Sequence, residues 1–553
     1  MRSSTGKIPL QDGLKPAIET IQQTLGSSQD FIVKPIETAW NREAVLMYMH
    51  GMVDRQILQH SLVELLEGVK PDELPAETRE ARQLLTHIQK KALTAGDVKL
   101  DETMDELLAD LLCGYAIIMI EGCMEALAIN VEGGEGRSVE EPTSQGVTRG
   151  PMEGFNECLT TNLSLIRRRI KDPRLWAQGR KIGKMTQTNV VVVYIHELAS
   201  QEMVDEVFRR LDKIDTDSIL ESGYIEEFIQ DERYTPFPTL YNTERPDVIA
   251  AGLLEGKIAI LVDGTPFVLL APALFVQFFQ SPEDYYQRAD ISTLLRLIRF
   301  LAFLITMLAP SLYIAITTFH QEMLPTSLLV SLAAQREGVP FPAFVEAMLM
   351  ELTFEILREA AVRMPKTVGQ AISIVGTLVI GQAAVDAGFV SAAMVIIVAI
   401  TAVSSFVVPA VNLSIAIRMI RFLLMGLAAS FGLFGIMTGL IVLVLHLTGL
   451  RTFGVPYMTS IAPFVFENQK DTLFRIPWRG MVLRPKQSGS QNMQRQTDPQ
   501  QQKNIQSAAA PPADGSQQPA STAHSHSSPP AGSEKAASKR DGTGAGKQEE
   551  EPS

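Results

Sequence analysis

The second half of the chain is a succession of long uncharged apolar runs joined by short polar stretches. Residues 300–319 (FLAFLITMLAPSLYIAITTF), 368–385, 387–411 and 422–450 contain no Asp, Glu, Lys or Arg. A hydrocarbon layer of roughly 30 Å is crossed by about 20 apolar helical residues, and a helix satisfies its own backbone groups in lipid. Soluble helices seldom run so long without a charged face. The pattern therefore predicts four membrane spans. Pro310 lies inside the first, where it removes a backbone hydrogen bond and is the candidate helix kink. Gly435 and Gly439, spaced G-x-x-x-G in the last run, are candidate helix-packing positions.

Residues 343–361 (AFVEAMLMELTFEILREAA) are helical by pattern but carry Glu346, Glu351, Glu355, Arg358 and Glu359. Such a helix cannot face lipid along its whole length. It lies at the interface, re-enters the membrane or lines a polar path. Glu351 and Glu355 are one turn apart and share a face, which makes them the candidate ion path. Their alternatives are pairing with Arg358, anchoring at the interface, or docking the soluble domain. Arg418 and Arg421 precede the last run. With four spans and an inside N-terminus they fall outside, against the positive-inside rule, so a fifth span or a re-entrant segment stays open.

The first half has strand and helix periods instead. Residues 31–36 and 44–49 read as strands, and 54–69, 82–93 and 103–112 as helices. A hairpin follows, 115–120 and 125–131, turning at Glu121-Gly122. A second joins 257–262 to 266–270 through Asp263-Gly264. LLCGYAIIMIEG and LLEGKIAILVDG match in register, with Gly114 and Gly256 equally far from their turns. VLMYMH and VVVYIH form an upstream echo. The repeat predicts two related α/β subdomains; two ordinary hairpins that happen to match are the alternative. Between them Gly146, Gly150 and Gly154 break regular structure. Arg167, Arg168 and Arg169 then point to different sides of one helix. With Arg149 they are candidates for an interdomain or partner contact.

The predicted organisation is a polar, loosely attached leader (1–28), α/β subdomain 1 (29–142), a Gly/Arg-rich connector (143–185), α/β subdomain 2 (186–290), an α-helical transmembrane domain of four or five spans (291–450), a basic juxtamembrane segment (451–484) and a disordered C-terminal tail (485–553). The tail is rich in Gln, Ser, Ala, Pro and Gly and has too little apolar surface to fold.

Composition narrows the function. The net charge of −13 over 553 residues argues against nucleic acid as a partner. Three cysteines at irregular spacing suggest a reducing compartment without a disulfide framework. The opening MRSSTGKIPL lacks an apolar signal core, and Arg296 and Arg299 stand just before the first span. A cytoplasmic N-terminal domain is expected. His196-Glu197 begins like a zinc-protease motif, but Ser200 stands where its second His belongs. No catalytic set, metal site or cofactor motif emerges, so an enzyme is not expected.

Three stretches resemble the GerA family, the A subunits of bacterial spore germinant receptors. They are GVTRGPMEGFNECLTTNLSLIRRRIKDPRL, PDVIAAGLLEGKIAILVDGTPFVLLAPALF, and the long run from MELTFEILREAAVRMPKTV to AITAVSSFVVP. The likeness extends from about residue 31 to 464. It implies a multi-pass protein of the spore inner membrane, acting in nutrient-triggered germination with a transporter-like B subunit and a lipoprotein C subunit. It further implies a homo-oligomer that forms a nutrient-gated cation channel. Competing readings are a SpoVAF-like amplifier of ion release and a self-sufficient membrane transporter.

Overall fold

A computed structural model describes residues 10, 13–37, 43–60, 85, 89, 98–133, 141–142, 145–363, 381–464, 469–484 and 494–496. Most of the expected helices 54–69 and 82–93, the greater part of the expected span 368–385, and nearly all of the tail lie outside them.

The soluble half holds two five-stranded antiparallel sheets. The first contains β1 (Phe31–Glu37), β2 (Glu43–Met49), β3 (Val98–Asp101), β4 (Tyr115–Ile120) and β5 (Ala126–Asn130), in the order β1-β2-β4-β5-β3. The second contains β6 (Leu175–Ile182), β7 (Thr188–Ile195), β8 (Tyr241–Thr243), β9 (Ile258–Val262) and β10 (Val268–Ala271), in the order β6-β7-β9-β10-β8. The two orders are the same, so the sequence repeat is a repeat of topology. Gly114 and Gly256 hold φ of +95° and +87° just before the corresponding strands β4 and β9, a backbone region open to glycine.

Strand periodicity sets the layers. Met47, Met49, Ile117 and Met119 face one side of sheet 1. They pack on Leu14, Ala17 and Ile21 of α1 (Leu14–Thr24) and on Leu107 and Leu111 of α2 (Met104–Leu111). The alternate residues Leu46, Tyr48, Ile118 and Ile120 face the other core. Sheet 2 follows suit. Val190, Val192, Ile258 and Ile260 pack on α4 (Gln201–Leu211) and α5 (Ser222–Ile229). Val191, Val193, Ala259 and Leu261 pack on α3 (Leu159–Arg169) and α6 (Pro246–Leu254).

Two expectations change here. The described part of the leader is not loosely attached. Its helix α1 is amphipathic, and Leu14, Ala17, Ile21 and Leu25 are buried in the core of sheet 1. The first strand of sheet 2, β6, lies inside the stretch read as connector. It is an edge strand with polar outward positions, so its apolar signal is weak. Residues 24–30 cover that edge: Trp176 Nε1 donates to the Thr24 carbonyl (3.1 Å) and Gln29 N–H to the Ala177 carbonyl (2.8 Å).

The joint between the sheets is an ion pair. Arg167 Nε and Nη2 donate to Asp30 at 2.7 and 3.0 Å, and Nη1 donates to the Leu175 carbonyl at 2.8 Å. The side chains are 1% and 4% exposed. The neighbouring arginines diverge. Arg168 donates to the Gly133 carbonyl (3.2 Å), Arg169 pairs with Glu153, and Arg149 is exposed.

The membrane half contains α7 (Ala289–Thr318), α8 (Ala343–Arg363), α9 (Ala392–Val407) and α10 (Val411–Gly449). Two of them, α7 and α10, are long and apolar enough to cross a membrane. Helix α7 runs through Pro310 as one continuous element of 30 residues. Inside α10, Gly432 departs from helical geometry, at φ +61° and ψ −140°. There the chain reverses. A Cβ on Gly435 would lie 2.2 Å from the Leu427 carbonyl oxygen, and one on Gly439 would lie 2.6 Å from Leu424 Cδ2. In a straight helix Leu424 and Gly439 would stand about 22 Å apart. The run 422–450, expected as one straight span, is therefore interrupted by a hairpin tip. Hydropathy cannot detect this, because both arms are equally apolar. Gly435 and Gly439 press on the partner arm, and the tip rests on Phe319 and His320 at the end of α7.

Exchange of Arg167 for Ala leaves Asp30 buried without its partner, a loss of about 3–5 kcal/mol. The expected result is a lower unfolding temperature for the detergent-solubilised chain and early proteolysis in residues 24–30. An unchanged melting curve would show that the sheets are joined by something else.

Candidate functional site

The described residues most able to do work lie where the soluble domain meets the membrane helices. The contact is one continuous apolar core. Leu159, Leu261, Phe275 and Phe279 from the soluble side join Met307, Leu413, Leu424, Leu447 and Tyr457. Phe279 stacks on Phe300 of α7 with centroids 4.4 Å apart. Both ends of α10 reach this core, so its two arms open toward the soluble domain.

Two buried charge clusters flank the core. In the first, Asp284 lies between two arginines of α7. Arg296 Nε donates to Asp284 Oδ2 at 2.9 Å, and Arg299 Nη1 donates to both Asp284 oxygens at 2.8 Å. Arg296 Nη1 also reaches the Asp471 carbonyl (2.6 Å) and carboxylate (3.0 Å). The phenol of Tyr285 donates to the same carboxylate. The segment after the last helix is thus fastened to the start of the first one. Thr452 Oγ1 donating to the Thr239 carbonyl (2.8 Å) and Phe453 N–H to Asp231 (2.7 Å) extend this seam. The segment read from sequence only as basic and juxtamembrane is a folded strap. Leu483 and Gln494 form a bridge, so the stretch expected to be disordered begins with at least one placed contact.

The second cluster contains Glu351 and Glu355. Arg421 Nη2 lies 2.7 Å from Glu351 and 3.2 Å from Glu355. Arg418 Nη1 donates to Glu355 at 2.6 Å, and Arg358 lies 3.9 Å from it. The Glu351–Arg421 contact is close, yet its angles miss a good hydrogen bond, and Arg421 Nε and Nη1 have no partner among the described residues. Both candidate carboxylates therefore face guanidinium groups, and a cation at this level would meet net positive charge. Sequence spacing placed Glu351 and Glu355 on one face. It could not show that α10 brings Arg418 and Arg421 against that face.

A third feature is a cavity of about 280 Å³ between α5 and the start of α10, lined by Glu221, Glu226, Asn242, Gln145 and Asn412. Burial, with the negative charge of Glu221 next, pushes the Glu226 carboxyl up to about 7, against the bond from Asn242. Neither glutamate was singled out from sequence, because Gln145, Asn242 and Asn412, which close the cavity around them, are distant in the chain. Among the described residues no group of acidic, His or Cys side chains could hold a metal ion.

Two outcomes follow. Because the protonated form of Glu226 is favoured in the fold, its contribution to stability is full below about pH 4.5 and is lost as pH rises through about 7. Glu226→Gln should remove this part of the pH–stability curve; a curve of unchanged slope between pH 5 and 8 would exclude the effect. Glu351→Gln removes the nearer of the two carboxylates that face the buried Arg421 and should cost about 1–3 kcal/mol. Glu351→Gln combined with Arg421→Met should recover most of that in thermal unfolding, as a coupled pair does.

A two-sheet domain fused through a buried, charged seam to a domain of long apolar helices defines the class: a membrane protein whose sheet half and helical half form one body. The family described as Bacillus/Clostridium GerA spore germination protein matches residues 19–487, and the chain belongs to this family. It is 50% identical over 489 residues to spore germination protein KA of Bacillus subtilis (strain 168), covering 88% of this chain and 89% of that one. It is 40% identical over 479 residues to spore germination protein GerLA of Bacillus cereus, covering 86% and 96%. Among solved structures, the N-terminal domain of the A subunit of the Bacillus megaterium spore germinant receptor GerK3 matches at 37% identity, covering 49% of this chain and 98% of that one, with a TM-score of 0.39.

Proposed function

We propose that this chain is the A subunit of a spore germinant receptor, seated in the spore inner membrane and needed for nutrient-triggered germination. Its relatives by name are spore germination proteins, and the observation that carries the reading is the rigid seam between soluble domain and membrane helices. A nutrient signal arriving at either half moves the other, because Arg296, Arg299, Asp284 and Asp471 leave no slack between them. The A subunit works with a transporter-like B subunit and a lipoprotein C subunit, and several copies gather around a cation path. The soluble domain is cytoplasmic.

The strap carrying Asp471 lies against the soluble domain, so both ends of the membrane region share one side, and the number of crossings is even. Helices α8 and α9 run parallel: Ser391 at the start of α9 meets Glu346 (2.9 Å), and Arg358 meets Ser405 near its end (2.7 Å). Arg418 and Arg421 then stand near the soluble-domain side, in agreement with the positive-inside rule.

Deletion of the gene, followed by germination assays across amino acids and sugars, tests the role. The expected result is loss of response to one nutrient or nutrient set, and co-purification of the tagged chain with a B-type subunit. Germination at the parental rate on every nutrient would reject the receptor role. A uniform slowing would transfer the chain to the amplifying branch.

A further inference from the structure

The second charge cluster is unbalanced. Among the described residues, three guanidinium groups (Arg358, Arg418, Arg421) meet two carboxylates (Glu351, Glu355), leaving one positive charge over. A guanidinium keeps its proton at any physiological pH, and an uncompensated charge away from water is expensive.

Beside the cluster is a cavity of about 400 Å³ at the seam. Arg245, Arg358 and Arg418 line it together with Gln145, and no acidic side chain does so among the described residues. Arg245 is already saturated by Asp247 and by the Gln145 and Pro151 carbonyls. Arg358 is not. Its Nη2 donates to Ser405 Oγ, its Nη1 is 3.9 Å from Glu355, and its Nε is buried with no partner among the described residues. The rings of Phe354 and Phe406 lie 4.9 and 5.0 Å from its guanidinium carbon, which fixes the group without using its N–H donors.

The cavity rim tells which anion fits. Phe406 and Val411 line it and are 71% and 53% exposed. They stand at the ends of α9 and α10, where an acyl chain would pass. The polar floor comes from the soluble domain. One side is therefore apolar and lipid-facing, and the other supplies donors, the arrangement that suits a headgroup at the membrane surface.

We propose that this cavity binds the phosphate group of an anionic membrane lipid, with Arg358 as its principal donor, and that the bound lipid supplies the negative charge the cluster lacks. The lipid then holds α8 against α9 and α10 beneath the soluble domain. The site rests on the membrane placement of these helices and not on any role in germination.

The test uses the purified full-length chain in nanodiscs of phosphatidylcholine doped with phosphatidylglycerol. Native mass spectrometry counts retained lipid, and unfolding temperature is read in parallel. The wild type should retain phosphatidylglycerol over phosphatidylcholine by about tenfold or more, the scale of a charged hydrogen bond, and should melt higher as the anionic fraction rises. Arg358→Gln should bring the ratio close to one. Arg363→Gln, an exposed arginine on the same helix, should leave it unchanged. Arg358→Lys, which keeps the charge with fewer donors, should give an intermediate ratio and carries the test if the glutamine variant does not fold. Equal retention of both lipids by the wild type, or a ratio unaltered in the Arg358 variants, overturns the site. Stabilisation by inorganic phosphate with none by phosphatidylglycerol overturns the lipid as its source. Germination is not part of the readout, so failure here leaves the receptor reading standing.

Discussion

A guanidinium cannot lose its charge to escape an apolar interior, and this constraint organises the molecule. Arg167, Arg245, Arg296 and Arg421 are among its largest fully buried side chains. Each stands where two parts of the chain meet. Arg167 joins the sheets through Asp30, and Arg245 ties α6 to the loop carrying Gln145 and Pro151. Arg296 ties the first membrane helix to the strap after the last, and Arg421 ties α10 to α8. A planar group with five donors can serve two partners at once, so one residue fixes the relative position of two elements. Hydrophobic packing alone would hold these joints together but would let them slide.

Much of this was legible in the sequence where the signal is local. Both hairpins, the equal register of Gly114 and Gly256, and the apolar α7 follow from periodicity over fewer than about twenty residues. The signal failed where partners are far apart in the chain. Arg167 looked like one of three similar arginines, yet only its side chain turns inward, because Asp30 waits 137 residues earlier. The helix α1 looked like a loose leader, since a short amphipathic stretch shows its apolar face only once a sheet is there to cover. Glu351 and Glu355 read as a candidate ion path, or as partners of Arg358, because Arg418 and Arg421 stand more than sixty residues on, just before another apolar run.

The site was half visible in the same sense. The charged helix 343–361 stood out because charge is costly in lipid, and the seam is where that helix ends. What hydropathy could not supply was the sign of the local field. Two carboxylates one turn apart suggest an acidic lining, and two arginines from α10, with Arg358 of the same helix, reverse it. Pro310 and Gly432 make the same point for the backbone. Proline removes a backbone hydrogen bond from a helix, and α7 carries Pro310 within one assigned element. Gly432 is one small residue among many, yet it takes a φ of +61° that permits the chain to turn back.

The reversal at Gly432 has a further structural consequence. Straight through residue 432, α10 would be 39 residues long, about 58 Å at 1.5 Å per residue, nearly twice the thickness of a hydrocarbon layer. Folded back, each arm is close to one layer thick, and both ends return to the soluble domain. The first arm's Arg418 and Arg421 are then held near the polar surface, and the second delivers the strap that meets Arg296. His446, close to the end of that second arm, lies 2.9 Å from the Thr235 hydroxyl. A side chain added at Gly432 would meet His320 at 2.8 Å and Phe319 at 3.0 Å, so the tip is also wedged against the far end of α7. One glycine thereby lets a single apolar run supply both the arginines of the second charge cluster and the strap of the first.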